Sequence, residues 1–505
     1  MFSEISSPIL AISDHKVRRI LSSVYAVIVP IFLLLFARSL VDDAYIILSY
    51  VKNLSQNFQW GMYAGMPANT ATSPLNVIAL SLTNFFAKDP ESSVWILNSL
   101  VYLGMYLVVD KIAEKKGLPI YSAFTICLIL LSNPWILSSL GLESILVILF
   151  FLLCVLSYLN KNPDLFGIHS GFLFLARPDA IVMTIPFWIM GFGNKKYRAA
   201  AIGLLVVLPW FLFSWFQLGT LLPDTFFIKK IEKSWGHYSF ANGWILYFRN
   251  LFLPESIVSI LPIFFGLLAA CATMREKGFW KKPEVLIFLS GALHFLAYSL
   301  LRVPPYHWYY IPSLFCFLFA SLCLLLRLNS SKWIRYCLFV WIFLSLSWSL
   351  WPKKGDGIFS SEMPIHTNWA KRDHYKAMAE ELDRQFYEGT YVRCYCEIGT
   401  LTFFSKNVIL RNEFTERVDY ISLFRYLELN AREFDFLRSA FIRFNFFHIE
   451  KVQKRYPNLP SPKYSIGADP PNPNSAVLLG KGSSRWSSEF SLYLWKTEGS
   501  PEKDH

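Results

Sequence analysis

The chain has 505 residues, 54% hydrophobic and only 17% charged, with a mean hydropathy of +0.36. Soluble globular chains carry about 25% charged residues, so the composition excludes an ordinary soluble fold and calls for a membrane protein. The net charge of +12 needs no nucleic-acid partner, because Lys and Arg of membrane proteins gather in cytoplasmic loops.

The first apolar run, Ile20 to Leu40, follows Lys16, Arg18 and Arg19 and lacks a small-residue cleavage site. At about 1.5 Å per helical residue it is long enough to span a bilayer, so it reads as a retained signal-anchor. Further spans are predicted over residues 93–109, 120–138, 141–159, 199–217, 252–273, 284–301, 308–327 and 333–351. Ser73 to Ala87 is too short to cross and reads as an interfacial helix opening at Ser73-Pro74. Gly167 to Gly191 is interrupted by Arg177-Pro178-Asp179 and reads as a re-entrant pair whose polar tip lies inside protein. The fold class expected is an α-helical polytopic membrane protein of about 9–11 membrane helices with a small C-terminal α/β domain.

Loop charge orients these segments. With the N-terminus cytoplasmic, the clusters Lys111/Lys115/Lys116, Lys195/Lys196/Arg198, Arg275/Lys277/Lys281/Lys282 and Arg327/Lys332/Arg335 all become cytoplasmic. Asp42/Asp43, Glu143, Arg177/Asp179, Asp224 to His237 and Arg302 to Tyr310 then share the outer face. The exception to the charge rule is the external loop 218–250, which carries Lys229, Lys230, Lys233 and Arg249.

Composition shifts near Trp351-Pro352, so residues 1–351 read as the membrane domain and 352–505 as an outer α/β domain. Within the latter, His374 to Tyr387 has helical spacing, and Tyr391–Ile398 and Leu401–Leu410 read as strands flanking a Gly399-Thr400 turn. Helical pattern follows at Asp419–Leu429 and Phe434–Lys454, then a Pro-rich loop from Pro457 to Asn474 and a frayed end. Cys394 and Cys396 share one face of the first strand and read as unpaired; no CxxC or His-rich metal pattern occurs.

Asp42 and Asp43 stand where the first span leaves the hydrocarbon, which is costly unless the carboxylates are solvated, paired or used. A long polar and aromatic loop with Tyr45, Tyr50, Lys52 and Asn53 is expected after them. A carboxylate at a dry boundary beside a second one has raised proton affinity and suits general-base work, and the pair is also a candidate site for a divalent cation. Glu143 reads either as a substrate-positioning acid or as a first-turn acid at a helix N-terminus. Arg177 either meets a phosphate or pairs with Asp179, and Lys229 shares the phosphate role. Arg302, His307 and Tyr309 lie in an aromatic run that suits phosphate binding and sugar stacking, or an interfacial belt.

Several stretches resemble the GT-C glycosyltransferases, nearest the branch of bacterial terminal arabinofuranosyltransferases and mannosyltransferase-like proteins. They are Asp42-Asp43-Ala44-Tyr45-Ile46, Asn69-Thr70-Ala71-Thr72-Ser73-Pro74, Gly141-Leu142-Glu143, Ala176-Arg177-Pro178-Asp179, Leu222-Pro223-Asp224 and Trp308-Tyr309-Tyr310-Ile311-Pro312, in matching order. Glu397-Ile398-Gly399-Thr400-Leu401 resembles the opening of that branch's soluble domain. The chain departs from the pattern at Asp224, where Asn is usual, and in having fewer Gly before Ser73-Pro74.

The resemblance implies transfer of a sugar from a polyprenyl-phosphate donor to a glycan, lipid or protein acceptor on the outer face of a bacterial cell membrane. Asp42 is then the first candidate for the base, with Asp43 its partner or the base itself. Rival readings are a flippase or transporter of lipid-linked glycan and a non-catalytic envelope assembly protein. Transporters carry inverted repeats, and none is visible.

Overall fold

The computed structural model describes residues 8–36, 38–249, 252–274, 278–327, 336, 338, 340–345, 362–412, 414–415, 435–454 and 461–497. Most of the expected span 333–351, the boundary near 352 and the expected helix 419–429 lie outside the described residues.

Helices dominate: α1 (Pro8–Leu34), α2 (Asp42–Asn57), α3 (Pro74–Ala87), α4 (Pro90–Lys115), α5 (Ser122–Ser132), α6 (Ser144–Leu159) and α7 (Pro163–Ala176). They continue with α8 (Ile185–Met190), α9 (Lys195–Phe213), α10 (Asp224–Glu232), α11 (Leu253–Thr273), α12 (Pro283–Leu301) and α13 (His307–Arg327). A polar residue followed by Pro opens several of them. Ser73, Asp89 and Asn162 accept the backbone N–H three residues on, from Asn76, Ser92 and Leu165, and each is followed by a Pro (Pro74, Pro90, Pro163) whose missing N–H costs nothing there.

Among the described residues, six helices are long and apolar enough to cross a membrane: Asp14–Leu34, Pro90–Lys115, Lys195–Leu218, Leu253–Cys271, Pro283–Leu301 and His307–Arg327. Of these α13 is the hub, with 89% of its apolar window buried, against 17% for the span built on α9. The expected span 120–138 breaks at Asn133-Pro134, because Asn133 turns to cap a new helical turn. Residues 141–159 form a helix only from Ser144.

The interfacial helix and the re-entrant pair are as expected in shape. Val77, Leu80 and Asn84 of α3 are buried, whereas Ile78, Leu82, Phe85 and Phe86 present an apolar exposed face. Between Gly167 and Gly191 the chain turns back on itself: Phe166 lies 5.1 Å from Trp188 and 5.0 Å from Phe192, ring to ring. The polar tip Arg177–Asp179 therefore sits at the far end of a closed hairpin.

One expectation fails at the centre. The stretch after the acidic pair is not a loop but α2, buried along most of its length. Asp42 and Asp43 occupy its first turn, where negative charge complements the exposed N–H groups.

The C-terminal part holds α14 (Arg372–Gln385), α15 (Gly399–Phe404), α16 (Asp435–Asn445) and a five-stranded sheet. Its strands β1 (Thr390–Tyr395), β2 (Val408–Arg411), β3 (Tyr464–Gly467), β4 (Val477–Gly482) and β5 (Phe490–Lys496) run in the order β2-β1-β3-β5-β4. β2 and β3 pair parallel to β1, with Val392 opposite Leu410 and Tyr464. β5 is antiparallel to β3 and β4.

Gly399-Thr400 thus starts a crossover helix rather than a hairpin turn, since parallel neighbours cannot be joined by a tight turn. The Pro-rich stretch taken as loop contains β3, a central strand hydrogen-bonded on both sides. No period-2 run longer than Tyr464–Gly467 marks it. Buried residues of the sheet, Val392, Leu410 and Ile466, belong to the same apolar core as Tyr25, Ala44 and Phe315.

Candidate active site

α2 packs against α15, and this contact decides the state of the acidic pair. The Asp42 carboxylate accepts the Gly399 N–H at 2.9 Å, the Thr400 N–H at 2.7 Å and the Thr400 hydroxyl at 2.8 Å. Its own N–H donates to Asn368 Oδ1 at 3.0 Å. Asp42 is thus the N-terminal cap of α15, in space that a side chain at Gly399 would fill: a Cβ there would stand 2.1 Å from the Asp42 carbonyl oxygen. Burial pushes the Asp42 carboxyl upward, and the three donors pull against it.

Asp43 has a different surrounding. It lines a cavity of about 740 Å³ between the helical region and the C-terminal domain, and also a smaller one of about 50 Å³ behind it. Among the described residues its carboxylate receives no hydrogen bond. Burial, offset by the Lys229 ammonium and reinforced by Asp42, pushes it up to about 6.

Lys229 borders both cavities too. Its Nζ donates to Tyr306 Oη at 2.7 Å and Glu232 Oε2 at 3.0 Å, and lies 4.1 Å from the Tyr306 ring centroid. Burial disfavours its charge, but Tyr309, Asp43 and Glu232 outweigh this and raise its pKa. The ammonium is therefore a fixed cation facing the freer carboxylate. The Lys230 side chain lies outside the described residues.

Glu143 and Arg177 line the smaller cavity with Thr72, Thr225 and Tyr309. Arg177 donates to Glu143 Oε1 at 2.6 Å, to Asp179 Oδ2 at 3.0 Å and to Tyr298 Oη at 2.5 Å, and stacks over the Tyr309 ring at 4.7 Å. Tyr298 in turn donates to Asp179 at 2.6 Å. Two carboxylates and two rings thus occupy the guanidinium, so it braces the hairpin tip and holds Glu143. Among the expected residues Asp179 lies one step behind the cavity wall, in this network.

Two expected residues stay apart from the cavities. Arg302 ends α12 in a left-handed conformation at φ 51° and is exposed. His307 is buried, donating from Nε2 to the Ser138 carbonyl at 3.2 Å. The two are close in sequence but belong to different elements: Arg302 closes α12, a non-helical link of residues 303–306 follows, and His307 opens α13 on a buried face.

Asp42's oxygens already accept three hydrogen bonds, and among the described residues no group of three or more His, Cys, Asp or Glu converges.

Other side chains that line the larger cavity are not among the candidate site residues expected from sequence. Glu397 accepts the Trp369 N–H at 3.0 Å and the Tyr375 hydroxyl, and burial with the nearby Asp42 charge raises its carboxyl well above the ordinary value. Cys394 and Cys396 line the same wall, free, with their sulfurs 3.0 Å apart. Trp235, Trp369 and Trp486 add aromatic surface. Glu397 carried a signal as part of the stretch opening the C-terminal domain, and Cys394 and Cys396 as a same-face pair; the Trp residues meet through the fold alone.

Two motifs of the resemblance meet as well. The Asp224 N–H donates to the Asn69 carbonyl at 2.7 Å, and the hydroxyls of Thr72 and Thr225 are 3.0 Å apart.

No protein-family model and no curated protein matches the sequence. Solved structures do match its fold. ArnT from Cupriavidus metallidurans bound to undecaprenyl phosphate aligns over 94% of this chain and 97% of its own, with TM-score 0.59 and 11% identity. Arabinofuranosyltransferase AftD from Mycobacteria aligns over 95% of this chain at TM-score 0.51 and 11% identity, but over 40% of its own length. The chain thus shares the fold of these solved structures, spans well under half of AftD, and carries several helices long and apolar enough for a multi-pass membrane protein.

Proposed function

We propose that the protein is a membrane glycosyltransferase that moves a sugar from a polyprenyl-phosphate donor to an acceptor hydroxyl on the outer face of a bacterial cell membrane. The GT-C fold supports this reading, as does the undecaprenyl phosphate named with ArnT. The observation that carries it is the position of Asp43 on the shared wall of the two cavities, facing Lys229.

In this reading the acceptor lies in the larger cavity and the leaving phosphate in the smaller one. Asp43 takes the proton from the acceptor hydroxyl as its oxygen forms a bond to the anomeric carbon. The bond from that carbon to the phosphate oxygen breaks, and its electron pair stays on the phosphate. Lys229 neutralises the developing charge in a water-poor setting, where a fixed cation counts for more than in solution. Glu143, held by Arg177, orients the donor sugar. Asp42 is a docking residue for the C-terminal domain, so the base is the second of the two acids.

In this reading the N-terminus is cytoplasmic and the C-terminal domain lies outside; Lys16, Arg18 and Arg19 ahead of the first span and the basic loops between later spans support that orientation. The direct test is a transfer assay on the full chain in lipid nanodiscs with extracted polyprenyl-phospho-sugar. Release of polyprenyl phosphate that is unchanged in Asp43→Asn would remove Asp43 from the mechanism.

A further inference from the structure

The larger cavity carries more aromatic surface than a base and a phosphate site require. Trp308 borders both cavities beside Asp43. From it a line of rings leads outward. Tyr306 stacks on Trp308 at 4.7 Å, Trp235 meets Tyr306 edge-on at 4.8 Å, and Trp486 lies 5.9 Å from Trp235. All four line the cavity.

The line crosses from one part of the molecule to the other. Trp235 follows α10 and Tyr306 precedes α13, whereas Trp486 comes from the C-terminal domain, between β4 and β5. Trp486 is held in place: its ring stacks on Phe252 at 6.3 Å, and the adjacent Arg485 donates to Glu255 at 2.7 Å. Polar groups stand along the same walls, among them Glu232, Asn368, Glu397 and Asn412.

Flat apolar faces beside hydrogen-bonding groups complement a sugar ring, which has C–H faces and hydroxyl edges. A hydrocarbon tail would instead meet carboxyl and amide groups and leave them unsatisfied. The volume of about 740 Å³ falls in the range that encloses ligands larger than a single sugar.

We propose that this ledge binds the acceptor as a saccharide chain several units long. Its terminal hydroxyl meets Asp43, and its outer units rest on Trp235 and Trp486. The inference rests on the glycosyltransferase reading and names its acceptor class, a glycan rather than a lipid headgroup or a peptide. It also gives the C-terminal domain a task, since that domain supplies the outer end of the ledge.

The test uses the full chain in nanodiscs and envelope glycan fragments sized from one sugar upward. Binding is read by tryptophan fluorescence, and polyprenyl-phosphate release from extracted polyprenyl-phospho-sugar is read separately. Affinity rises with each added sugar until the ledge is filled. In Trp486→Ala the longest fragments bind roughly two- to tenfold more weakly, the loss expected for one aromatic contact, and single sugars bind unchanged. Trp486→Phe, which keeps a ring, recovers most of the loss.

Length-independent binding by the unmutated protein overturns the inference, whether or not Trp486→Ala folds. Equal weakening of short and long fragments in Trp486→Ala overturns it as well. If the unmutated protein releases no polyprenyl phosphate with any fragment, the glycosyltransferase reading fails instead, and the two failures are distinct.

Discussion

Asp42 and Thr400 are joined twice, the carboxylate accepting the Thr400 N–H at 2.7 Å and its hydroxyl at 2.8 Å. With the Gly399 N–H at 2.9 Å, this carboxylate holds the C-terminal domain on α2. Asp42→Ala leaves three donors without a partner, at a cost of about 2 kcal/mol or more. The expected result is a lower melting temperature and faster proteolysis of the C-terminal domain. A variant that melts like the unmutated protein would refute the docking role.

Asp43 gives the opposite pattern. Asp43→Asn should lower transfer by about 10²- to 10⁴-fold, the range for losing a general base. Burial raises this carboxyl from 3.8 to about 6 in the folded protein, so its ionisation opposes folding. Its stabilising effect is complete below the unfolded value and is lost as pH rises through about 6. Removing the charge at neutral pH therefore leaves the folding stability equal or higher, by at most about 3 kcal/mol, and the melting temperature does not fall. An inactive but destabilised variant would contradict the assignment.

The pH dependence of transfer follows from the same group. A base must be ionised, so kcat/KM should fall on the acid side with a midpoint near about 6. Lys229 lowers this value. Lys229→Met should move the acid limb to higher pH and raise the donor KM by about 10-fold or more, as expected for one lost charge-assisted contact. An unshifted limb would separate Lys229 from Asp43.

A second tie links the two parts of the chain. Arg372 clamps Glu91 with two bonds, Nε at 2.7 Å and Nη2 at 2.6 Å, and Tyr45 donates to the same carboxylate at 2.7 Å. Lys cannot reproduce that fork. Arg372→Lys should cost about 1–3 kcal/mol, measured by thermal melting, and its effect should be less than additive with Asp42→Ala because both act on one interface. Strict additivity would mean that the two ties are independent.

Orientation is accessible to labelling. Tyr387, 91% exposed on the C-terminal domain, offers a site for Tyr387→Cys. A membrane-impermeant maleimide should label it in intact cells. Labelling only after permeabilisation would invert the topology.

Much of the scaffold is legible in the sequence because bilayer crossing depends on local composition. Apolar length alone marks α1, α4, α9, α11, α12 and α13. Arg177-Pro178-Asp179 within an apolar stretch is enough to signal a polar hairpin tip, since backbone and charge at such depth need a protein-lined site. The acidic pair after the first span was recognisable for the same reason. The short strands β3 and β4 were not, because their pairing partners lie far along the chain and their own four to six residues carry too little pattern.

What the sequence could not settle was which acid is free. Asp42 and Asp43 are neighbours with identical chemistry, and consecutive residues of a helix point about 100° apart. Residue order by itself determined that a carboxylate pair directly follows the first apolar span. Only the packing of α2 against α15 turned Asp42 toward the N–H groups of Gly399 and Thr400 and left Asp43 facing Lys229 across an open cavity. Direction around a helix axis is set by what the helix packs against, so which acid docks and which faces the cavity is decided by the tertiary structure.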